Sequence, residues 1–269
     1  MQEQLKEIEQ LSNILRLTKE YLKRLQLSDK ELDKYRKQIS LPEKYPVYGV
    51  DMSKLRIWAR EIYKLYRTAD FARFFKLFEA LWENEHNSLE ERYITMILLQ
   101  QRRKDLEEPD VCLDTWAWLW RDKNLKFIQN FSLVEHVANT VTYQIMEAWF
   151  EIREAEDIIW KDLKEHALSP SNNKWEQCLA ILTPFRKLNE KPEWVLPSLE
   201  VVTYALRSND SDVHRAIELV LRESAKSHPD LIFQFIKRFI NKSTAIVPDN
   251  LKYVSRYFSD EQKSELGLT

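Results

Sequence analysis

The apolar positions of this chain recur with a helical period almost from end to end. Leu5, Ile8, Leu11, Leu15 and Leu22 follow one another at spacings of three, four and seven, which places them on one face of an N-terminal helix. Ser28-Asp29 has the character of a cap, and a second, short helix is expected to run to about Ser40. "LPEKYPVYGV" carries two prolines and a glycine within ten residues and reads as a loop. From Asp51 the pattern becomes helix, short polar break, helix. "DMSKLRIWAREIYKLYR" predicts an apolar face at Leu55, Trp58, Ile62 and Leu65, and "FARFFKLFEALW" follows almost at once. "NSLEERYITMILLQQRR" opens with Ser88 and Glu91 at the spacing of a capping box. Further helix starts are predicted near Asp110, Ser132, Asn172, Pro192, Asp210 and Pro229, each opening a helix of roughly 12 to 18 residues. "TVTYQI" could be read as a strand, but its flanks keep the helical period.

Helices of this length joined by short breaks predict an all-α fold, a HEAT-like α-solenoid of about six helix pairs with a concave binding face. No exact repeat is visible, and a compact helical bundle is the alternative. Residues 1–40 read as an N-terminal helical extension and 41–269 as the repeat domain.

Composition narrows the chemistry. Gly49 and Gly267 are the only glycines in 269 residues. Tight phosphate loops and serial hairpins need residues at positive φ, so both are disfavoured, and no Gly-rich nucleotide motif is present. A nucleotide cofactor is not expected, nor any other. Net charge is −2, with the basic excess placed late: residues 201–256 hold nine Lys/Arg against six Asp/Glu. Cys112 and Cys178 have no second Cys or clustered His at ligand spacing, so a zinc site is not expected. Two thiols, no apolar leader core and no run of spanning length fit a protein of the cytoplasm without membrane contact. Trp116, Trp118 and Trp120 in "DTWAWLW" spread around a helix and predict core packing rather than a stacking platform.

Three segments carry a resemblance. They are "YPVYGVDMSKLRIWAREIYK" (45–64), "LWENEHNSLEERYITMILL" (81–99) and "VHRAIELVLRESAKSHPDLIFQFI" (213–236). Together they resemble the AlkD-like DNA alkylation repair glycosylases, over about residues 45–240. The resemblance implies a monomeric, helix-lined grip on duplex DNA. It also implies hydrolysis of the N-glycosidic bond of N3- or N7-alkylated purines, with no cofactor. A carboxylate would stabilise the oxocarbenium-like sugar, aromatic rings would pack around the deoxyribose, and basic side chains would hold phosphates.

On that resemblance the catalytic carboxylate falls on Glu135, and the aromatic one turn earlier falls on Phe131. A second aromatic position is occupied by Glu218, a backbone-gripping Arg position by Cys178, and a closing Arg is kept as Arg222. Arg215, Arg222 and Lys226 are the implied phosphate contacts, with Lys237, Arg238 and Lys242 as an extension. The residues themselves leave Glu135 open between two uses. Ser132 to Glu135 has S-x-x-E spacing, so the carboxylate either ties back to the Ser132 amide or faces a ligand. His136 beside it reads as a satisfied polar residue. Arg215, Glu218 and Arg222 share a helix face, either as a DNA surface or as an ordinary solvated stripe. Glu218 and Cys178 favour a second reading of the chain, a HEAT-like scaffold that binds DNA structures or protein without catalysis.

Overall fold

The computed structural model describes residues 2–150, 156–169, 173–240, 242–247 and 251–268. Among these the chain is helical throughout, with no strand. It divides into two compact units, Met1–His136 and Val137–Thr269.

In the first unit, α1 (Gln2–Arg24) and α2 (Asp29–Gln38) precede α3 (Met52–Tyr66), α4 (Phe71–Trp82) and α5 (Leu89–Gln101). Then come α6 (Pro109–Leu119), the single turn α7 (Asp122–Leu125) and α8 (Phe131–Val137). The caps predicted at Ser28 and Ser88 form where the sequence puts them. The Glu31 carboxylate accepts the Ser28 amide at 3.1 Å, and Glu91 accepts the Ser88 amide at 2.7 Å while the Ser88 hydroxyl accepts the Glu91 amide. α5 packs on both α3 and α4, so helices pack on near neighbours in the chain, as stacked helical repeats do.

The N-terminal helix is part of this packing. Tyr21 stacks on Trp58 with ring centroids 4.6 Å apart, the Trp58 indole donates to the Thr18 hydroxyl, and Arg73 of α4 donates to Gln10. Its buried stripe is Ile14, Thr18 and Leu22; Ile8 is exposed, against the sequence reading, and the side chain of Leu5 lies outside the described residues. α3 corrects the pattern in the same way. Leu55, Ala59, Ile62 and Tyr66 face inward, and Leu65 is 60% exposed. Spacing alone admitted both faces, and the ring of Tyr66 took the last inward place.

A polar knot joins the loop before α3 to α5. Glu90 is fully buried and accepts the backbone N–H groups of Tyr48, Gly49 and Val50, the shortest at 2.7 Å from Gly49. Gly49 sits at φ +73°, where a Cβ would also meet Leu27 at 2.5 Å. Arg92 is buried as well. It donates to the carbonyls of Asn84, Asn87 and Ser88 and lies over the rings of Tyr45 and Phe127. The three tryptophans of "DTWAWLW" are all buried, as core packing requires. The Trp118 indole donates to Glu83, which also pairs with Lys123.

The second unit opens with a π-helical stretch, Ala138–Thr142, so "TVTYQI" is helical and not a strand. α9 (Tyr143–Phe150), α10 (Glu156–Leu168), α11 (Lys174–Leu182), α12 (Val195–Ala205), α13 (Ser211–Ser227), α14 (Pro229–Phe239) and α15 (Asp260–Glu265) follow. α10 packs on α12, α11 on α13 and α13 on α14. The helix predicted from Asn172 starts beside Asn173, whose side chain accepts the Trp175 amide; Asn172 itself lies outside the described residues. Pro192 opens a 3-10 turn that leads into α12, and Trp194 in that turn wedges against Phe150 and Trp160. α10 had no counterpart among the predicted starts.

Candidate functional site

α8 begins at Phe131, one residue before the predicted start near Ser132. Asn130 is its cap: the side-chain oxygen accepts the Leu133 amide at 2.9 Å. Ser132 is therefore inside the first turn, and its hydroxyl accepts from the Tyr93 phenol at 3.0 Å. Glu135 falls on the second turn, beyond the amides that a cap serves, and is half-buried. Phe131 lies one turn earlier on the same side of the helix and is 6% exposed, within the core of the first unit. Glu135 thus stands at the border where the buried face of α8 meets solvent.

His136 packs edge-on against the Tyr93 ring, with centroids 5.1 Å apart. Burial, helped by the nearby Arg56 guanidinium, holds its pKa down at about 4. At neutral pH it is an uncharged ring beside Glu135, not an imidazolium.

The basic positions of the second unit fall on two helices. On α13, Arg215, Glu218, Arg222 and Lys226 form one solvent-facing stripe, opposite buried Val213, Ile217, Val220 and Leu221. Glu218 lies within reach of both Arg222 and Arg215. Desolvation raises its pKa, and the two guanidinium groups oppose that rise. Lys226 is paired with Glu223 at 2.6 Å. On α14, Lys237 pairs with Glu265 of α15, whereas Arg238 lies over the Phe239 ring, 5.3 Å from its centroid. Arg238 also lines a groove of about 600 Å³ between α12 and α14, with Leu196, Leu199, Glu200, Leu231 and Phe235. Lys242 is exposed. Cys178 is fully buried, so its thiol does not reach solvent.

Two basic features were not singled out from the sequence. Arg186, in the 3-10 turn after α11, donates to the Asn139 carbonyl at 2.7 Å and covers the Tyr143 ring. Asn139 is in the π-helical stretch, where the wider winding changes which carbonyls the helix itself uses. The other is a run of exposed cations along α3, Arg56, Arg60 and Lys64, with Arg67 at its end. Among the described residues no group of three or more His, Cys, Asp or Glu is arranged to hold a metal ion, and no helix is long and apolar enough to cross a membrane.

Comparison with known proteins identifies the fold and the family. A family model described as DNA alkylation repair enzyme matches residues 18–257. The chain belongs to that family. No protein of curated function matches it. A solved structure, the predicted DNA alkylation repair enzyme from Enterococcus faecalis, is 12% identical and superposes with a TM-score of 0.66. The match covers 88% of this chain and 98% of that one. At that identity the likeness speaks for the fold: an all-α, HEAT-like helical repeat, as the periodicity predicts. The family match begins inside α1, and so includes the end of the helix read as an extension.

Proposed function

We propose that this member of the DNA alkylation repair family binds duplex DNA as a monomer and hydrolyses the N-glycosidic bond of N3- or N7-alkylated purines, with Glu135 as the essential carboxylate. The observation that supports it most is the cap of α8. Asn130 caps the helix start, and Glu135 lies on the second turn, a half-buried carboxylate at the solvent border. Such a group suits the reaction. An alkylated purine already carries positive charge, so the bonding pair leaves with the base and neutralises it. The charge then develops on the sugar, where a fixed carboxylate stabilises it; water adds to the anomeric carbon and its proton is released to solvent. Phe131 contributes on this reading from below, fixing the first turn from which Glu135 projects. Arg215, Arg222, Lys226, Lys237 and Arg238 are the proposed phosphate contacts of the second unit.

Incubation with duplex containing N7-methylguanine, followed by measurement of free base, tests the proposal. Wild-type protein should release base, and Glu135→Gln should be slower by roughly 10²–10³, the usual weight of one preorganised electrostatic group. Equal release by both would remove Glu135 from the chemistry.

A second reading has its own support. The buried ring of Phe131 and the carboxylate of Glu218 occupy positions where the resemblance implies aromatic groups around the sugar. A protein that binds DNA structures without cleaving the glycosidic bond would bind the same duplex and release nothing.

A further inference from the structure

The solvent face of α3 is a track of cations. Arg56, Arg60, Lys64 and, at the C-terminal boundary, Arg67 follow at spacings of four, four and three, which puts them within an arc of about 80° on an α-helix. All four are exposed, and Leu55, Ala59, Ile62 and Tyr66 hold the opposite face in the core. No ion pair among the described residues engages Arg56, Arg60 or Arg67. Lys64 pairs with Glu61 at 2.7 Å, but both side chains are more than half exposed and such a pair holds weakly.

This face differs from the basic surface of α13, where Glu218 and Glu223 stand among three cations. It also differs from what helix stability would select. Lys64 and Arg67 complement the negative end of the helix dipole, so their presence needs no ligand. Arg56 lies in the first half of α3 and Arg60 at its middle, where cations gain nothing from the dipole and repel one another across one turn. The capping carboxylate of Asp51 offsets only the nearest of them.

The track also has a definite neighbour within the first unit. The Arg56 guanidinium is close enough to act electrostatically on His136, the residue that follows Glu135. Arg56 is thus near the second turn of α8.

We propose that Arg56 and Arg60, continued by Lys64 and Arg67, form a binding track for the phosphate backbone of duplex DNA beside α8. Two free guanidinium forks one turn apart can each hold a phosphate in bidentate fashion, which a lysine point charge cannot. The inference rests on the DNA-binding reading above and adds a surface that the family resemblance did not supply.

Anisotropy titrations of an undamaged labelled duplex, repeated across a salt series, test it. Each phosphate contact contributes about 0.9 to the slope of log K against log salt. Arg56→Gln/Arg60→Gln should therefore lower the slope by about 2 and weaken binding by about tenfold or more at low salt. Arg56→Lys/Arg60→Lys should keep the slope, and a control pair on other exposed surfaces, Lys30→Gln/Lys161→Gln, should leave slope and affinity unchanged. Circular dichroism should be wild-type in every variant, because all these side chains are exposed. A wild-type slope for Arg56→Gln/Arg60→Gln, with salt-sensitive binding otherwise intact, would overturn the track and leave the DNA reading standing. Absence of salt-sensitive binding by the wild-type protein would overturn both.

Discussion

Removing the Glu90 carboxylate should loosen the loop that starts α3. Glu90 is 1% exposed, and its two oxygens accept three successive backbone N–H groups. Gly49 and Val50 share one oxygen at 2.7 and 3.2 Å, and the Tyr48 N–H is forked between that oxygen at 3.2 Å and the other at 3.1 Å. Glu90→Ala leaves all three donors without their acceptor. At about 1–3 kcal/mol for each unsatisfied buried donor, reduced by relief of the buried charge and by entry of water, the net cost should be about 3–5 kcal/mol. Glu90→Gln separates the parts. Its amide oxygen can replace the oxygen shared by Gly49 and Val50, but its NH₂ then faces the Tyr48 N–H donor to donor. One lost bond and two weakened ones predict about 1–3 kcal/mol. Urea unfolding should rank the proteins wild type, Gln, Ala. Hydrogen exchange should show the amides of Tyr48, Gly49 and Val50 losing protection in both variants, with α11 and α13 unaffected. If Glu90→Ala costs under about 1 kcal/mol, or those amides stay protected, the carboxylate does not hold the loop and the account is wrong.

Gly49→Ala should destabilise by about 2–4 kcal/mol, from a left-handed backbone and a clash with Leu27; thermal melting checks it. His136 should stay neutral down to about pH 4 by NMR titration, and Arg56→Gln should raise its pKa by removing a nearby positive charge. With the folded pKa below the unfolded value of 6.5, the unfolded chain binds the proton first. The stabilisation is therefore complete above about pH 6.5 and is lost as pH falls toward 4, by up to about 3 kcal/mol, whereas His136→Phe should flatten that window. Leu65→Lys should change stability by no more than about 0.5 kcal/mol in urea, while Leu55→Ala should cost about 2–5 kcal/mol, because only the second faces the core.

The class of fold was legible because it depends on period, and period survives small errors of face. Ile8 and Leu65 are such errors: each continues an apolar spacing, yet Ile8 is exposed and Tyr66 fills the inward place beside Leu65. Capping residues were legible where the side chain serves the nearest amides, as at Ser28 and Ser88. Ser132 failed because a better cap, Asn130, stands two residues earlier, and two overlapping local motifs cannot be ranked without knowing that Tyr93 occupies the Ser132 hydroxyl. The knot at Glu90 and Arg92 was not legible at all. A run of charges after a capping serine looks like a solvated helix start, and only the loop at Tyr48–Val50, some forty residues upstream, makes its burial affordable.

The same distinction sorts the candidate site. A charge count placed the basic excess late in the chain, but a cation counts toward a ligand only after its local partners are subtracted. Lys226 and Lys237 are held by Glu223 and Glu265, and Arg215 and Arg222 flank Glu218. Arg56 and Arg60 come from the acidic-leaning part of the sequence, yet no ion pair among the described residues engages them. If binding to DNA is electrostatic, its salt slope should follow these uncompensated groups rather than the richest segment. Charge reversal of Glu218 makes the contrast measurable. Glu218→Lys should strengthen duplex binding, because it turns a divided stripe into a continuous one, and it should do so most at low salt. No gain would mean that α13 does not face the nucleic acid, and the proposed contacts at Arg215 and Arg222 would fall with it.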